Sequence, residues 1–354
     1  MRRTAVYRDN LFLEHQPGFA HVESPDRLRV IYRELDREET ASHFVFPGFA
    51  PASPEIIGLN HTPQQIKRVA ETAGREHGVL DADTQTSARS YDAACLAVGA
   101  LIDGVKRMFN GEIDNGFCLV RPPGHHAERD RSMGFCLFNN VAVAARWALA
   151  NLGLQRILIV DWDLHHGNGT QHSFYDTDEV LYCSTHQYPY YPGTGAVMEN
   201  GTGRGEGFTL NVPLPGGQND HDFARIFNEL FVPVARLYQP RLILVSCGFD
   251  IYKGDPLGTM RVTPPGFAYM TRVMQNLADQ LCSGRLLITL EGGYDLTGMR
   301  DGALAVLTEL CGEKLNPDYP DFSAGKITDE PPADGPPPLF LDQVMGLAKK
   351  YWKM

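Results

Sequence analysis

The stretch Ile157–Gly169, read as Ile-Leu-Ile-Val-Asp-Trp-Asp-Leu-His-His-Gly-Asn-Gly, constrains the fold more than any other part of the chain. Ile157–Val160 is an unbroken apolar run, the pattern of a strand buried on both faces inside a parallel sheet. It passes directly into Asp161, Asp163 and His165 and then into a glycine-punctuated turn. Successive side chains of an extended chain alternate faces, so these three polar groups can share one side. Sites in open α/β sheets form beyond the carboxyl ends of strands, where this cluster falls. Carboxylate oxygens and an imidazole converging there are donors suited to a divalent metal. The ordinary explanation is a helix N-cap aspartate with incidental histidines, but two acids and two histidines between 161 and 166 exceed it.

Similar apolar runs recur at Phe117–Val120, Val180–Ser184, Phe208–Val212, Leu242–Ser246 and Leu286–Leu290. Helical patterns separate them at Tyr91–Phe109, Val141–Leu152, Asp222–Tyr238, Pro265–Gln280 and Met299–Cys311. Strands alternating with helices at this spacing predict an α/β domain with a mostly parallel central sheet and helices on both faces. No linker divides the middle, so 1–314 reads as one catalytic domain. Residues 315–354 read as a tail on that domain: a proline-rich strap over Pro317–Pro338, then a short amphipathic helix over Leu339–Trp352. The formal net charge of −11, from 32 basic against 43 acidic residues, argues against a nucleic-acid partner. It would suit a cationic substrate, although many soluble proteins are acidic. Seven scattered cysteines without a Cys-x-x-Cys pair point to reduced thiols in the cytoplasm and away from a thiolate zinc site. No apolar segment suggests a signal peptide or a membrane span.

Four further segments sit at or near strand ends. Arg121-Pro-Pro-Gly-His-His126 presents adjacent histidines on a stiff turn, suited to acid–base work. Alone, it is as well explained as a rigid surface loop. Ser246-Cys-Gly-Phe-Asp250 leads to Gly254-Asp255-Pro256-Leu257, which can bring Asp255 to the sheet end that holds Asp163. Glu291-Gly-Gly-Tyr294 offers close backbone approach and a phenolic donor. The aromatics of Gly134-Phe-Cys-Leu-Phe-Asn139-Asn140 suit a core as well as a substrate wall.

Together and in this order, the segments resemble the histone deacetylase superfamily, the zinc-dependent lysine deacetylases, over nearly all of residues 15–311. The resemblance begins at His21-Val-Glu-Ser-Pro-Asp-Arg-Leu28 and is dense from Val120 to Tyr294. The wording Asp161-Trp-Asp-Leu-His-His-Gly-Asn168-Gly-Thr-Gln-His172 is similar to the class II branch and its bacterial relatives. The resemblance implies a single arginase/deacetylase-like domain in which Asp163, His165 and Asp255 ligate zinc, with Fe2+ conceivable for so oxygen-rich a set. It implies that His126 is the general base and then the acid for the leaving amine. His125 would be an electrostatic partner, with Asp161 orienting His125 and Asn168 orienting His126. Many class I members carry Asp where this chain has Asn168, so their pH behaviour does not transfer. Tyr294 would hydrogen-bond the scissile carbonyl and then the oxyanion. Phe135 and Tyr191 would wall an acyl-lysine channel, with Gly134 letting the chain pass and Asp83 near its rim.

The same resemblance implies structural potassium ions. Asp161, Asp163, His165, Ser184 and Thr185 match an inner site; Phe174, Thr177, Val180 and Phe208 match an outer one. A polyamine-selective relative places Glu seven residues after the last zinc ligand. The matching residue here, Val262, predicts an apolar gate and an acyl-lysine peptide or protein as substrate, with an acetylated small amine as the alternative. An arginase-type binuclear hydrolase would need further carboxylates, and no Asp-x-Asp pair surrounds Asp250 or Asp255. An inactive acyl-ligand binder is a third reading, but such relatives lose the tyrosine or a ligand and this chain keeps them. Oligomeric state is not legible. His43, His61 and His77 read as surface residues without a role.

Overall fold

The apolar runs become strands, and their ends set where the site forms. In the computed structural model, which describes residues 2–18, 21–323, 325, 327 and 341–354, the strands are β1 (Thr4–Tyr7), β2 (Phe44–Val45), β3 (Gly78–Val79), β4 (Gln85–Thr86), β5 (Asn115–Cys118), β6 (Ile157–Asp161), β7 (Val180–Gln187), β8 (Thr209–Leu214), β9 (Leu242–Cys247) and β10 (Leu286–Leu290). Eight of them form one sheet in the order β2-β1-β5-β10-β9-β6-β7-β8, and β3 and β4 make a separate ribbon. Every neighbouring pair in the large sheet is parallel. Parallel neighbours need crossovers, and helices supply them. β5, β6, β9 and β10 are buried along their whole lengths, which is why β6, β9 and β10 read as apolar runs; β5 starts earlier than the run Phe117–Val120, at Asn115, and stops at Cys118.

Helices cover the sheet in two groups. Ser90–Phe109 and Asn140–Leu152 pack on each other and on the central strands. Asp26–Leu35, Pro264–Cys282 and Leu296–Cys311 form the other group. The helix expected over Asp222–Tyr238 starts at Asp220, behind a capping box of Asn219 and Asp222, and passes through a wide turn at Phe227–Phe231. The final helix, Leu341–Trp352, lies along the β8 edge, with the Trp352 ring 5.1 Å from that of Phe208. Residues 328–338 of the expected proline-rich strap lie outside the described residues. No helix among the described residues is long and apolar enough to cross a membrane.

One of the three histidines expected at the surface is a core group. His77 is exposed and His43 half-buried beside Glu313, but His61 is only 2% exposed. Its Nε2 accepts the Asn139 N–H at 2.8 Å, so Nδ1 carries the proton and donates to the Glu128 carbonyl at 2.9 Å. The ring must therefore be neutral, and burial pushes its pKa from 6.5 down to about 4. A histidine whose folded pKa is lowered stabilises the fold fully above its unfolded pKa and loses that contribution as pH falls towards the folded value. Stability should drop from about pH 6.5 to about pH 4, by roughly 3 kcal/mol from this ring alone. Thermal melts of wild type and His61→Gln across that window check this. The variant should melt lower at neutral pH with a flatter slope, and an unchanged slope would contradict the assignment.

Candidate active site

Four adjacent strands, β5, β10, β9 and β6, end in the loops that build one pocket. The alternation Asp-x-Asp-x-His after β6 is used differently from a pleated strand. β6 stops at Asp161, whose Oδ1 accepts the Asp163 N–H at 3.1 Å, and Asp163 Oδ1 accepts the His165 N–H at 2.9 Å. Short acidic side chains readily hold the backbone two residues on, so the same spacing that would alternate faces in a strand makes successive turns. From β9, Asp250 reaches across: its Oδ1 accepts the Leu164 N–H at 2.9 Å and its Oδ2 lies 3.2 Å from His165 Nδ1. Asp163 Oδ1 lies 3.2 Å from the same nitrogen.

Asp163, His165 and Asp250 offer donor atoms that all lie within 4.8 Å of one another. Asp255 stands next to them, its charge helping to raise the pKa of Asp250. Its Oδ2 accepts the N–H groups of Tyr294 at 2.6 Å and Asp295 at 3.1 Å, and its Oδ1 that of Leu257 at 2.9 Å. Burial and the Asp163 charge push Asp250 up to about 7. Burial alone would lower His165, but Asp163 and Asp250 outweigh it and lift the imidazole to about 9. Hard oxygens and an imidazole that so strongly favour positive charge make a fitting divalent-metal donor set.

The tandem histidines face this cluster. After β5, Glu291 Oε2 accepts the N–H groups of Gly124 at 2.6 Å and His125 at 3.1 Å, pinning the turn that presents them. His125 Nδ1 lies 3.1 Å from Asp161 Oδ2, and His126 Nδ1 lies 2.8 Å from Asn168 Oδ1. Burial pulls both rings down, yet Asp163 and Asp161 lift His125 to about 10. His126, beside His125 and His165, stays well below the usual histidine range. One ring thus holds its proton and the other is free to accept one. At Gly292 a side chain would collide with Asp250 and Asp163, so only glycine lets this N–H reach Asp163 Oδ2 at 2.7 Å.

The pocket above has a volume of about 330 Å³, with His125, His126, His165, Gly292 and Tyr294 at its base. Phe135, Tyr190, Tyr191, Leu257 and Asp83 line its sides. Gly134 sits at φ +57° against His126, and its N–H donates to Asp83 Oδ1 at 3.0 Å. Val262, expected as a gate, is fully buried in the main core and absent from this lining. Counting along the chain misplaced it, because the segment folds back to bridge Tyr252. Ser184 pairs in register with Asp161, and Thr185 Oγ1 is buried without a hydrogen-bond partner among the described residues. Phe174 closes the helix Asn168–Phe174 and Thr177 follows it in the loop, Val180 opens β7, and the Phe208 carbonyl accepts the Tyr182 N–H.

Several functional groups escaped the sequence reading. Asp250 was passed over although it stands two residues beyond a strand-end glycine. Glu23 is fully buried between Arg27 at 2.8 Å, Arg121 at 2.7 Å and His15 at 3.3 Å. Arg27 donates to the carbonyls of Gly293 and Glu291, and its guanidinium lies 5.0 Å from the Tyr294 ring centroid. His166, without a role in the sequence, joins Thr194 at 2.7 Å and Gln171 at 3.0 Å. Gln171 reaches Glu199, which caps the N–H groups of Gly195 and Ala196 in the loop that carries Tyr190 and Tyr191.

The histone deacetylase domain profile matches residues 21–310. Histone deacetylase 15 of Arabidopsis thaliana is 41% identical over 331 residues, covering 90% of this chain and 58% of that protein. A probable deacetylase of Archaeoglobus fulgidus is 38% identical over 298 residues, 83% of this chain and 82% of that one. Histone deacetylase HDA1 of Saccharomyces cerevisiae is 37% identical over 361 residues, 94% of this chain but 49% of that protein. The chain thus spans about half the length of the plant and yeast relatives. The crystal structure of the HDA15 HD domain superposes with a TM-score of 0.89 and 37% identity, covering 99% of this chain and 96% of that one.

The buried ion group at Glu23 generates a stability prediction. Glu23→Gln preserves shape but leaves Arg27 and Arg121 without their counter-charge. Breaking a buried pair from one side costs about 3–5 kcal/mol. Denaturant unfolding should report a loss of that order; a loss below about 1 kcal/mol would show the carboxylate to be dispensable.

Proposed function

The chain belongs to the histone deacetylase family, and from that premise we propose that it is a zinc-dependent amidohydrolase removing acetyl or other acyl groups from lysine side chains of peptides or proteins. The observation that carries the reading is the convergence, in one pocket, of a metal-donor cluster, a pair of differently tuned histidines and a tyrosine. Asp163, His165 and Asp255 would hold the ion, with Asp250 beside the same His165 nitrogen that faces Asp163; the oxygen-rich set would also accept Fe2+. Zinc bound there would supply a Lewis acid that acidifies water and polarises the substrate carbonyl.

This chain's own residues do the rest. His126, whose Nδ1 donates to Asn168, offers Nε2 as the base that takes a proton from water and returns it to the leaving amine. His125, protonated between Asp161 and Asp163, stabilises the negative charge that develops. The Tyr294 hydroxyl, which burial keeps protonated, would donate to the carbonyl oxygen as it becomes an oxyanion. Phe135 and Tyr191 would flank the methylene stem of the lysine. The buried Asp161 and Ser184, paired in register, and the unpartnered Thr185 hydroxyl support the inner potassium site; the outer one would use Phe174, Thr177, Val180 and Phe208. The seven free, buried cysteines support a reducing compartment such as the cytoplasm.

Tyr294→Phe should keep its zinc and lose roughly 10²–10³ in kcat, about 3–4 kcal/mol. Near-full turnover in that variant would sink the role given to the hydroxyl. Metal analysis distinguishes the carboxylates: Asp163→Asn and Asp255→Asn should lose tight zinc while Asp250→Asn retains it. The reverse outcome would move the third ligand to Asp250. Rates on an acetyl-lysine peptide and on acetylspermidine decide the substrate, and a large preference for acetylspermidine would replace lysine by a polyamine.

A further inference from the structure

Asn168, which holds His126, is itself held. Its Oδ1 faces His126 Nδ1 at 2.8 Å, and its Nδ2 donates to Glu128 Oε1 at 2.5 Å. The same Glu128 oxygen lies 2.8 Å from Nδ1 of His172. Nδ2 also approaches the His126 carbonyl at 3.3 Å and Met133 Sδ at 3.4 Å, both longer contacts. Asn168 and Glu128 are 2% and 7% exposed, whereas the His172 side chain is 47% exposed. A line of hydrogen bonds therefore runs from the pocket base to the protein surface. Burial pushes the Glu128 carboxyl up, but hydrogen bonds from His172 and Asn168 prevail and hold it below the usual range. It is an ionised group that can only accept.

A carboxamide has nearly the same shape when turned by half a revolution, but its polarity reverses. Turned, Asn168 would set its oxygen against the Glu128 carboxylate, two acceptors at hydrogen-bond distance. It would also aim an amide N–H at His126 Nδ1, favouring the tautomer with the proton on Nε2. That tautomer places a proton on the nitrogen that must take one up. A wrong tautomer at an oriented catalytic histidine is far more damaging than its unchanged geometry suggests.

We propose that Glu128 is a positioning residue that fixes the Asn168 amide and, through it, keeps Nε2 of His126 unprotonated, with His172 anchoring Glu128 from the surface. The inference rests on the reading of His126 as the base. It explains how a neutral amide can do here what a carboxylate would do unaided: an aspartate presents an acceptor whichever way it turns, while an asparagine needs a neighbour that chooses its face. The two positions are then coupled through charge. One carboxylate shared between 128 and 168 satisfies the line, and two would repel.

The test is a double-mutant cycle on the zinc-loaded full chain with an acetyl-lysine peptide. Glu128→Gln should lose roughly 10–100-fold in kcat with KM little changed. Asn168→Asp alone should lose a similar factor, because two carboxylates would meet. The double variant Glu128→Gln/Asn168→Asp should return to within about threefold of wild type, the glutamine amide donating to the aspartate. Imidazole nitrogen NMR gives a readout independent of turnover. The His126 signals, assigned by their loss in His126→Ala, should report an unprotonated Nε2 in wild type and a shift towards the other tautomer in Glu128→Gln. Unchanged kcat in Glu128→Gln, an unchanged tautomer, or losses in the double variant that simply multiply would overturn the proposal. Should Glu128→Gln fail to fold, an Asn168→Asp variant as fast as wild type would overturn it equally. His126→Ala separates the two layers: wild-type turnover there removes the base reading itself, while lost turnover with an unmoved tautomer in Glu128→Gln removes only the positioning role.

Discussion

Four carboxylates, those of Asp161, Asp163, Asp250 and Glu291, are withdrawn from water at the base of one pocket. Burying charge without compensation is prohibitive, so each must be answered by donors. The answer comes largely from backbone. N–H groups of Asp163, His165, Leu164 and Gly292 serve the three aspartates, and those of Gly124 and His125 serve Glu291. His125 and His165 add the remaining positive charge. Loops at four neighbouring strand ends are therefore tied down by the same groups to which the proposed function gives the chemistry. An all-parallel sheet suits this, because it delivers four carboxyl ends side by side.

The two histidines differ because their partners differ. His125 leans on a charged aspartate and keeps a proton; His126 leans on a neutral amide between two other imidazoles and gives its proton up readily. A pair of groups pushed apart in this way is the arrangement that acid–base catalysis at neutral pH requires. The sorting is done by residues outside the pair, and on the positioning role proposed for Glu128 it extends, for His126, two side chains away.

Much of this was legible in the chain, for a physical reason: central strands must be continuously apolar, and the polar groups that follow them are conspicuous. β6, β9 and β10 were visible on that ground, and with them Asp161, Asp163, His165, Asp255 and Tyr294. β1 and β2 were not, since Thr4–Tyr7 and Phe44–Val45 are too short to stand out and become strands only by pairing at the sheet edge. Asp250 was hidden because its partner His165 lies 85 residues away. Glu23 and His61 look like surface residues until the fold covers them. Val262 illustrates the opposite error, in which a count of residues stood in for a direction in space.

Glu23 and Arg27 sit near the beginning of the chain, and Arg27 closes on Gly293, a contact spanning 266 residues. During synthesis the amino-terminal part emerges first, and domains tend to organise as they emerge. Here the backing of the tyrosine loop cannot be finished until β10 and Glu291–Tyr294 have left the ribosome. Until then the Arg27 guanidinium has its carboxylate but not the carbonyls of Glu291 and Gly293, whereas Arg121 already has those of Phe12 and His15. The pocket therefore forms only once β10 has emerged, because a nascent chain stopped short of it lacks the strand that joins β5 to β9 and so holds the two halves of the sheet together.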